Sequence, residues 1–121
     1  MNHGFEHEVR SCDLYDLGGG GIWLSGGMEE TEPRVAAKHR IINNHIHHFA
    51  KVRKVYAAGI NCGFEGGGGG GHYPAVGNLI AHNLIHTTPH VGILHGSFDN
   101  VFEYNEVYNW STVSNDMGAI Y

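Results

Sequence analysis

Four carboxylates crowd the last part of the chain: Asp99, Glu103, Glu106 and Asp116. Cleavage of a glycosidic bond usually needs two carboxyl groups flanking it, one protonating the leaving oxygen and one acting as nucleophile or base. Glu103 follows an inward-leaning Phe102 and is therefore expected to point outward, while Asp116 stands just before the apolar Gly118-Ala119-Ile120-Tyr121. The same residues also read as ordinary solvated acids, with Asn115-Asp116 as a turn. A basic run, Lys51, Arg53 and Lys54, offers a rival chemistry, elimination from an acidic sugar, or simply a solvated loop. The 11 histidines are the unusual count, and they titrate near neutral pH. Residues two apart on a strand share a face, so His45 and His47 can converge, with His86 arriving from the next repeat. No Cys/His spacing matches a zinc motif, so solvated or hydrogen-bonded imidazoles are the expectation, and neither a metal nor a cofactor is assigned.

The elements that must hold these side chains are visible as a repeat. Val76 to Asn109 states nearly the same pattern twice: Ile80, Asn83 and Ile85, then Phe102, Asn105 and Val107, with the asparagines 22 positions apart. Ile41, Asn44 and Ile46 form an earlier copy, and Val9, Cys12 and Leu14 the first, with Cys12 in the asparagine slot. Each triplet is followed by an apolar strand built around Ile22, Ile60, Ile93 or Ile120. Helical periodicity is weak, whereas glycine, β-branched residues and Asn turns favour strands. A period of this size built from short strands points to stacked units. Two insertions interrupt the stack. One runs from Gly26 to Lys38; the other, Gly63 to Pro74, contains the run Gly66 to Gly71. Six consecutive glycines cannot pack side chains and lose much entropy if ordered, so mobility is expected there. The run lacks the Lys-Ser/Thr and strand–helix frame of a phosphate-binding loop.

Composition narrows the classes. A chain of 121 residues suits a single domain, taken as 1–121. The net charge of −5 gives no footprint for nucleic acid, and no apolar run approaches the roughly 18 residues of a membrane span. Cys12 and Cys62 are too few for a disulfide framework and are expected to be small buried residues.

A three-residue strand cannot bury its own apolar face, but stacking solves this. Val9, Ile41, Ile80 and Phe102 are expected to line one internal column; Leu14, Ile46, Ile85 and Val107 a second; Ile22, Ile60, Ile93 and Ile120 a third. Successive layers would lie about 4.8 Å apart. The asparagines suit a bend that tolerates unusual backbone angles, and can hydrogen-bond up the column as amide ladders do. One position after the second column stand Tyr15, His47, His86 and Tyr108, which should form an exposed ladder of rings. Such rings can cover apolar sugar faces; the alternative is that the slot simply favours stackable side chains. The fold expectation is all-β, a right-handed parallel β-helix of about four coils with glycine-rich insertions.

Three segments, Gly18 to Gly27, Asn78 to Ile93 and Phe102 to Tyr121, carry a resemblance to right-handed parallel β-helix proteins of the pectate-lyase-like superfamily. The last two are similar to blocks in large bacterial β-helix proteins that act on carbohydrates. The resemblance spans nearly the whole chain but departs from that pattern in the glycine run and in size, so the chain is expected to be a piece of a longer, secreted or periplasmic protein. Further coils or self-association would cover its ends. What the resemblance implies is a polysaccharide or oligosaccharide partner, and glycoside hydrolysis ahead of lyase chemistry or non-catalytic glycan binding. Asp116 is the first candidate carboxylate, Glu103 the second, and His90 a nearby polar partner; His47, His86, Tyr108 and Tyr121 are the candidate sugar contacts.

Overall fold

The computed structural model describes residues 4–64, 73–115 and 117–121. It is all-β among these residues, with eleven strands of three residues each. In chain order they are β1 (Glu8–Arg10), β2 (Asp13–Tyr15), β3 (Ile22–Leu24), β4 (Arg40–Ile42), β5 (His45–His47), β6 (Ile60–Cys62), β7 (Leu79–Ala81), β8 (Leu84–His86), β9 (Ile93–His95), β10 (Val101–Glu103) and β11 (Glu106–Tyr108). They assemble into three sheets, ordered β1-β4-β7-β10, β2-β5-β8-β11 and β3-β6-β9, and every strand pairing is parallel. The chain visits each sheet in turn, so a strand pairs with the one three elements later, an arrangement consistent with a parallel β-helix. Each passage through the three sheets is called a circuit below.

The register follows the inward columns. Val9 pairs with Ile41, Ile41 with Ile80 and Ile80 with Phe102. Leu14, Ile46, Ile85 and Val107 align in the second sheet, and Ile22, Ile60 and Ile93 in the third. Ile120 joins that third column through an isolated parallel bridge to Ile93, where a full strand was expected. The isoleucines of the two middle circuits, Ile41, Ile46, Ile60, Ile80, Ile85 and Ile93, are completely buried and form one core with Leu24 and Phe49. Val9, Leu14, Phe102 and Val107 of the outer circuits pack against it while remaining partly exposed. A three-residue strand gains little alone; cross-strand packing of these columns supplies the stabilisation.

The amide ladder forms as expected. Asn44 Nδ2 donates to Asn83 Oδ1 at 3.0 Å, and Asn83 Nδ2 donates to Asn105 Oδ1 at 2.9 Å. Each oxygen also accepts the main-chain N–H of the preceding circuit's anchor: Cys12 to Asn44, Asn44 to Asn83, Asn83 to Asn105. The unusual backbone angle, however, lies one residue before the expected position. Ser11, Asn43, His82 and Tyr104, not the anchors, have φ between 53° and 57°. The bend is made there, and the anchor's side chain is thereby turned inward to hold it. A second ladder, five residues upstream, runs from His39 N–H through Asn78 to Asn100.

Glycine precedes the third column for reasons of space. A Cβ at Gly21 would stand 2.5 Å from the Gly59 carbonyl and 3.0 Å from Ile46, and one at Gly92 would stand 2.4 Å from Val107. Cys62 is buried as expected, and burial pushes its thiol pKa up to about 12. Cys12 is exposed, contrary to expectation. It occupies the anchor slot of the outermost circuit, which has a neighbour on one side only. The Gly66 to Gly71 run lies outside the described residues.

Candidate functional site

The outer face of the second sheet gathers the side chains with the most chemistry. Because its strands are three residues long, the central residue points inward and the two flanking residues outward. Register then sets two outward columns: Asp13, His45, Leu84 and Glu106, and beside it Tyr15, His47, His86 and Tyr108. The second column is a continuous ring ladder. Centroids are 5.3 Å apart for Tyr15–His47, 5.1 Å for His47–His86 and 4.5 Å for His86–Tyr108, with interplanar angles of 8°, 9° and 13°. Rings stacked in this way turn their faces to one another. What they offer outward is edges, bearing imidazole nitrogens and phenol oxygens. Only the two terminal rings, Tyr15 and Tyr108, which are about half exposed, keep an uncovered face.

Beside the ladder lies a polar cluster. His45 stacks on His47 at 4.2 Å, and the Nε2 atoms of His45 and His86 are 2.9 Å apart. Asp13 Oδ1 stands 3.3 Å from His45 Nδ1 and 3.1 Å from His47 Nε2. His47 Nδ1 meets His48 Nδ1 at 2.7 Å, and His86 Nδ1 meets Thr87 Oγ1 at 2.9 Å. Burial, with the nearby His45, His47 and His48, lowers the pKa of His86 and favours the neutral ring. Lys51 pairs with Asp16, whose carboxyl it holds below the usual range. An open cleft of about 240 Å³ adjoins the cluster, lined by His48, Lys51, Lys54, Thr87, Pro89 and Thr112 among others.

The remaining candidates lie elsewhere. Glu103 is exposed on β10, in the first sheet. His90 is buried in the segment after β8, its ring 5.1 Å from that of Tyr56, and burial lowers its pKa. No hydrogen bond or ion pair joins Glu103 to His90 among the described residues. Tyr121 continues the third sheet through hydrogen bonds with Ile93 and His95, away from the ring ladder. Asp116 lies outside the described residues.

Sequence reasoning passed over two features. Trp23 of β3 and Tyr73, which lies outside the strands, are both exposed and meet edge to face at 6.4 Å; these rings come from different circuits, and no local pattern links them. His82 and Tyr104 stack at 5.0 Å with Tyr104 largely exposed, and their 22-residue offset carried the signal. Comparison with protein-family models, curated proteins and solved structures finds no match to this chain.

Proposed function

We propose that the chain is a segment of a right-handed parallel β-helix whose second-sheet face contacts carbohydrate. The handedness rests on the strong preference of parallel crossovers for the right-handed path. The observation that carries the binding reading is the in-register ladder Tyr15, His47, His86 and Tyr108, flanked by the carboxylates Asp13 and Glu106. Imidazole nitrogens, phenol oxygens and carboxylates suit a row of sugar hydroxyls, and the free faces of Tyr15 and Tyr108 suit the apolar face of a pyranose ring. The repeat spacing of about one strand layer would let a polysaccharide lie across successive circuits.

Hydrolysis is the second reading, supported by the exposed Glu103 and Glu106 and by the likeness of the Phe102 to Tyr121 segment to blocks of carbohydrate-active β-helix proteins. On this reading the protein is a member of the pectate-lyase-like group with Asp116 the first and Glu103 the second of its paired carboxylates; the lyase alternative would use the Lys51–Lys54 loop beside the cleft.

Retention of the protein on a panel of insoluble neutral and acidic polysaccharides tests the binding reading. Tyr108→Ala and Tyr15→Ala should each weaken retention several-fold. Absence of retention on every polymer, or retention unaffected by both variants, would sink it. Release of reducing ends from a retained polymer would add the hydrolase, and release of unsaturated ends the lyase.

A further inference from the structure

We infer that His45, His47 and His86 form a binding site for a divalent transition-metal ion of the zinc type, supported by Asp13. One ligand atom from each of the three lies within 4.8 Å of the other two. The three come from neighbouring strands of one sheet, a rigid frame rather than a loop, with His86 following His45 by 41 residues. Two nitrogens bound to one ion at about 2.0–2.1 Å stand about 2.9–3.4 Å apart, for angles between a right angle and the tetrahedral value. The 2.9 Å separation of His45 Nε2 and His86 Nε2 falls at the near end of that range.

The surroundings are those a metal-binding imidazole needs, a partner for the nitrogen that does not face the ion. His45 Nδ1 stands 3.3 Å from Asp13 Oδ1, a carboxylate that favours the proton on that nitrogen, so its Nε2 lone pair can face His86. His86 Nδ1 has Thr87 Oγ1, a hydroxyl able to donate or accept, so this ring can move its proton from Nε2 to Nδ1 without losing its partner. Both nitrogens of His47 are partnered, Nε2 by Asp13 and Nδ1 by His48, so either one can turn to the ion while the other keeps a contact. Binding therefore needs one tautomer shift and ring rotations, and no change in the number of protons on the three neutral rings. Three imidazoles complete only part of a coordination sphere. An ion held here keeps an open position toward solvent for water or an oxygen donor, as three-histidine sites do. The donor set disfavours calcium and magnesium, which take oxygen ligands.

The site shares His47, His86 and Asp13 with the face proposed for carbohydrate but does not rest on that reading, and its test needs no glycan. Zinc chloride is titrated into the full chain by calorimetry, with histidine proton resonances followed in parallel. The expected result is one site with a dissociation constant on the order of 1 μM, with perturbation of the resonances of His45, His47 and His86 but not of His82 and His95. His45→Ala and His86→Ala should each weaken binding at least tenfold, Asp13→Asn about tenfold through loss of its support to the imidazoles, and His82→Ala not at all. The resonance pattern of the unaltered chain decides the matter even where a variant fails to fold. Diffuse shifts across all the histidines, binding equally weakened by His82→Ala, or calcium displacing zinc at comparable concentration would overturn the site.

Discussion

Replacing Asn83 by alanine removes the middle rung of the amide ladder, and its cost can be worked out bond by bond. The side-chain oxygen accepts from Asn44 N–H and from Asn44 Nδ2, both at 3.0 Å, while the side-chain nitrogen donates to Ile41 O and Asn105 Oδ1, both at 2.9 Å. Asn44 Nδ2 retains Val9 O, and Asn105 Oδ1 retains the Asn83 main-chain N–H. The Asn44 N–H loses its acceptor, and Ile41 O loses a donor. Both sit in the buried middle of the stack, where an unsatisfied polar group costs about 1–3 kcal/mol. The expected loss is therefore about 2–6 kcal/mol, a large share of the roughly 5–15 kcal/mol that holds a typical domain folded. Asn105→Ala should cost less, because Asn105 is half exposed and water can reach the groups it abandons. Asn83→Asp should be no better than alanine: it keeps an acceptor for Asn44 but places a second oxygen against Ile41 O and Asn105 Oδ1. Urea unfolding followed by circular dichroism measures all three. A loss below about 1 kcal/mol for Asn83→Ala, or equal losses at positions 83 and 105, would refute the view that the ladder bears on stability through buried polar satisfaction.

Two further outcomes follow from the same packing. Gly21→Ala should destabilise the chain by about 1–3 kcal/mol through overpacking, because its Cβ would meet the Gly59 carbonyl, whereas Gly19→Ala, with nothing within 4 Å, should be neutral or mildly stabilising; equal urea midpoints would contradict this. Burial also lowers the pKa of His39, which contacts the His7 ring and the Ser25 carbonyl, and of His90, which contacts Tyr56. On acidification the unfolded chain therefore takes up protons first, at about pH 6.5. Stability from these groups is complete above that pH and falls as pH drops toward the lower folded values, by at most about 1.4 kcal/mol per pH unit for each histidine. Urea midpoints measured from pH 7.5 to 5.5 should fall, and His90→Gln should flatten the trend; a midpoint that rises on acidification would reverse the sign.

The inward columns were legible because an apolar residue three before an anchor and another two after it repeat at every circuit, and pairing register has no freedom once one face is buried. The Gly-Ile pairs at 59–60 and 92–93 were legible for the same reason, since the glycine marks where the next circuit's carbonyl comes close. The left-handed bends were not, because Ser11, Asn43, His82 and Tyr104 share no residue type; position, not chemistry, imposes that angle. Phe49 and His39 are buried although both lie outside the strands, where no strand pattern predicts burial. The histidine cluster was visible only as a suggestion. His45 meets His86 diagonally, and this contact becomes definite only when β5 and β8 are laid in register. The expected grouping of Asp116, Glu103 and His90 was not legible as a site: Glu103 is on β10 and His90 in the segment after β8, Asp116 lies outside the described residues, and sequence offers no distance between them.

The amide ladders also give the stack a direction. In them Asn44, Asn83 and Asn78 each direct one Nδ2 hydrogen to the following circuit, and each Oδ1 faces the preceding one. The dipoles add instead of cancelling, so the stack of circuits has unlike poles. At its later pole the Asn100 Nδ2 is buried with no hydrogen-bond partner among the described residues. A surface that stacks there must bring an oxygen to that point. Two copies meeting later pole to later pole would set donor against donor, whereas head-to-tail contact would set like column upon like column. Polarity of this kind acts as a sorting rule: it selects the orientation of whatever adds to the stack before any side chain on the outer face is consulted.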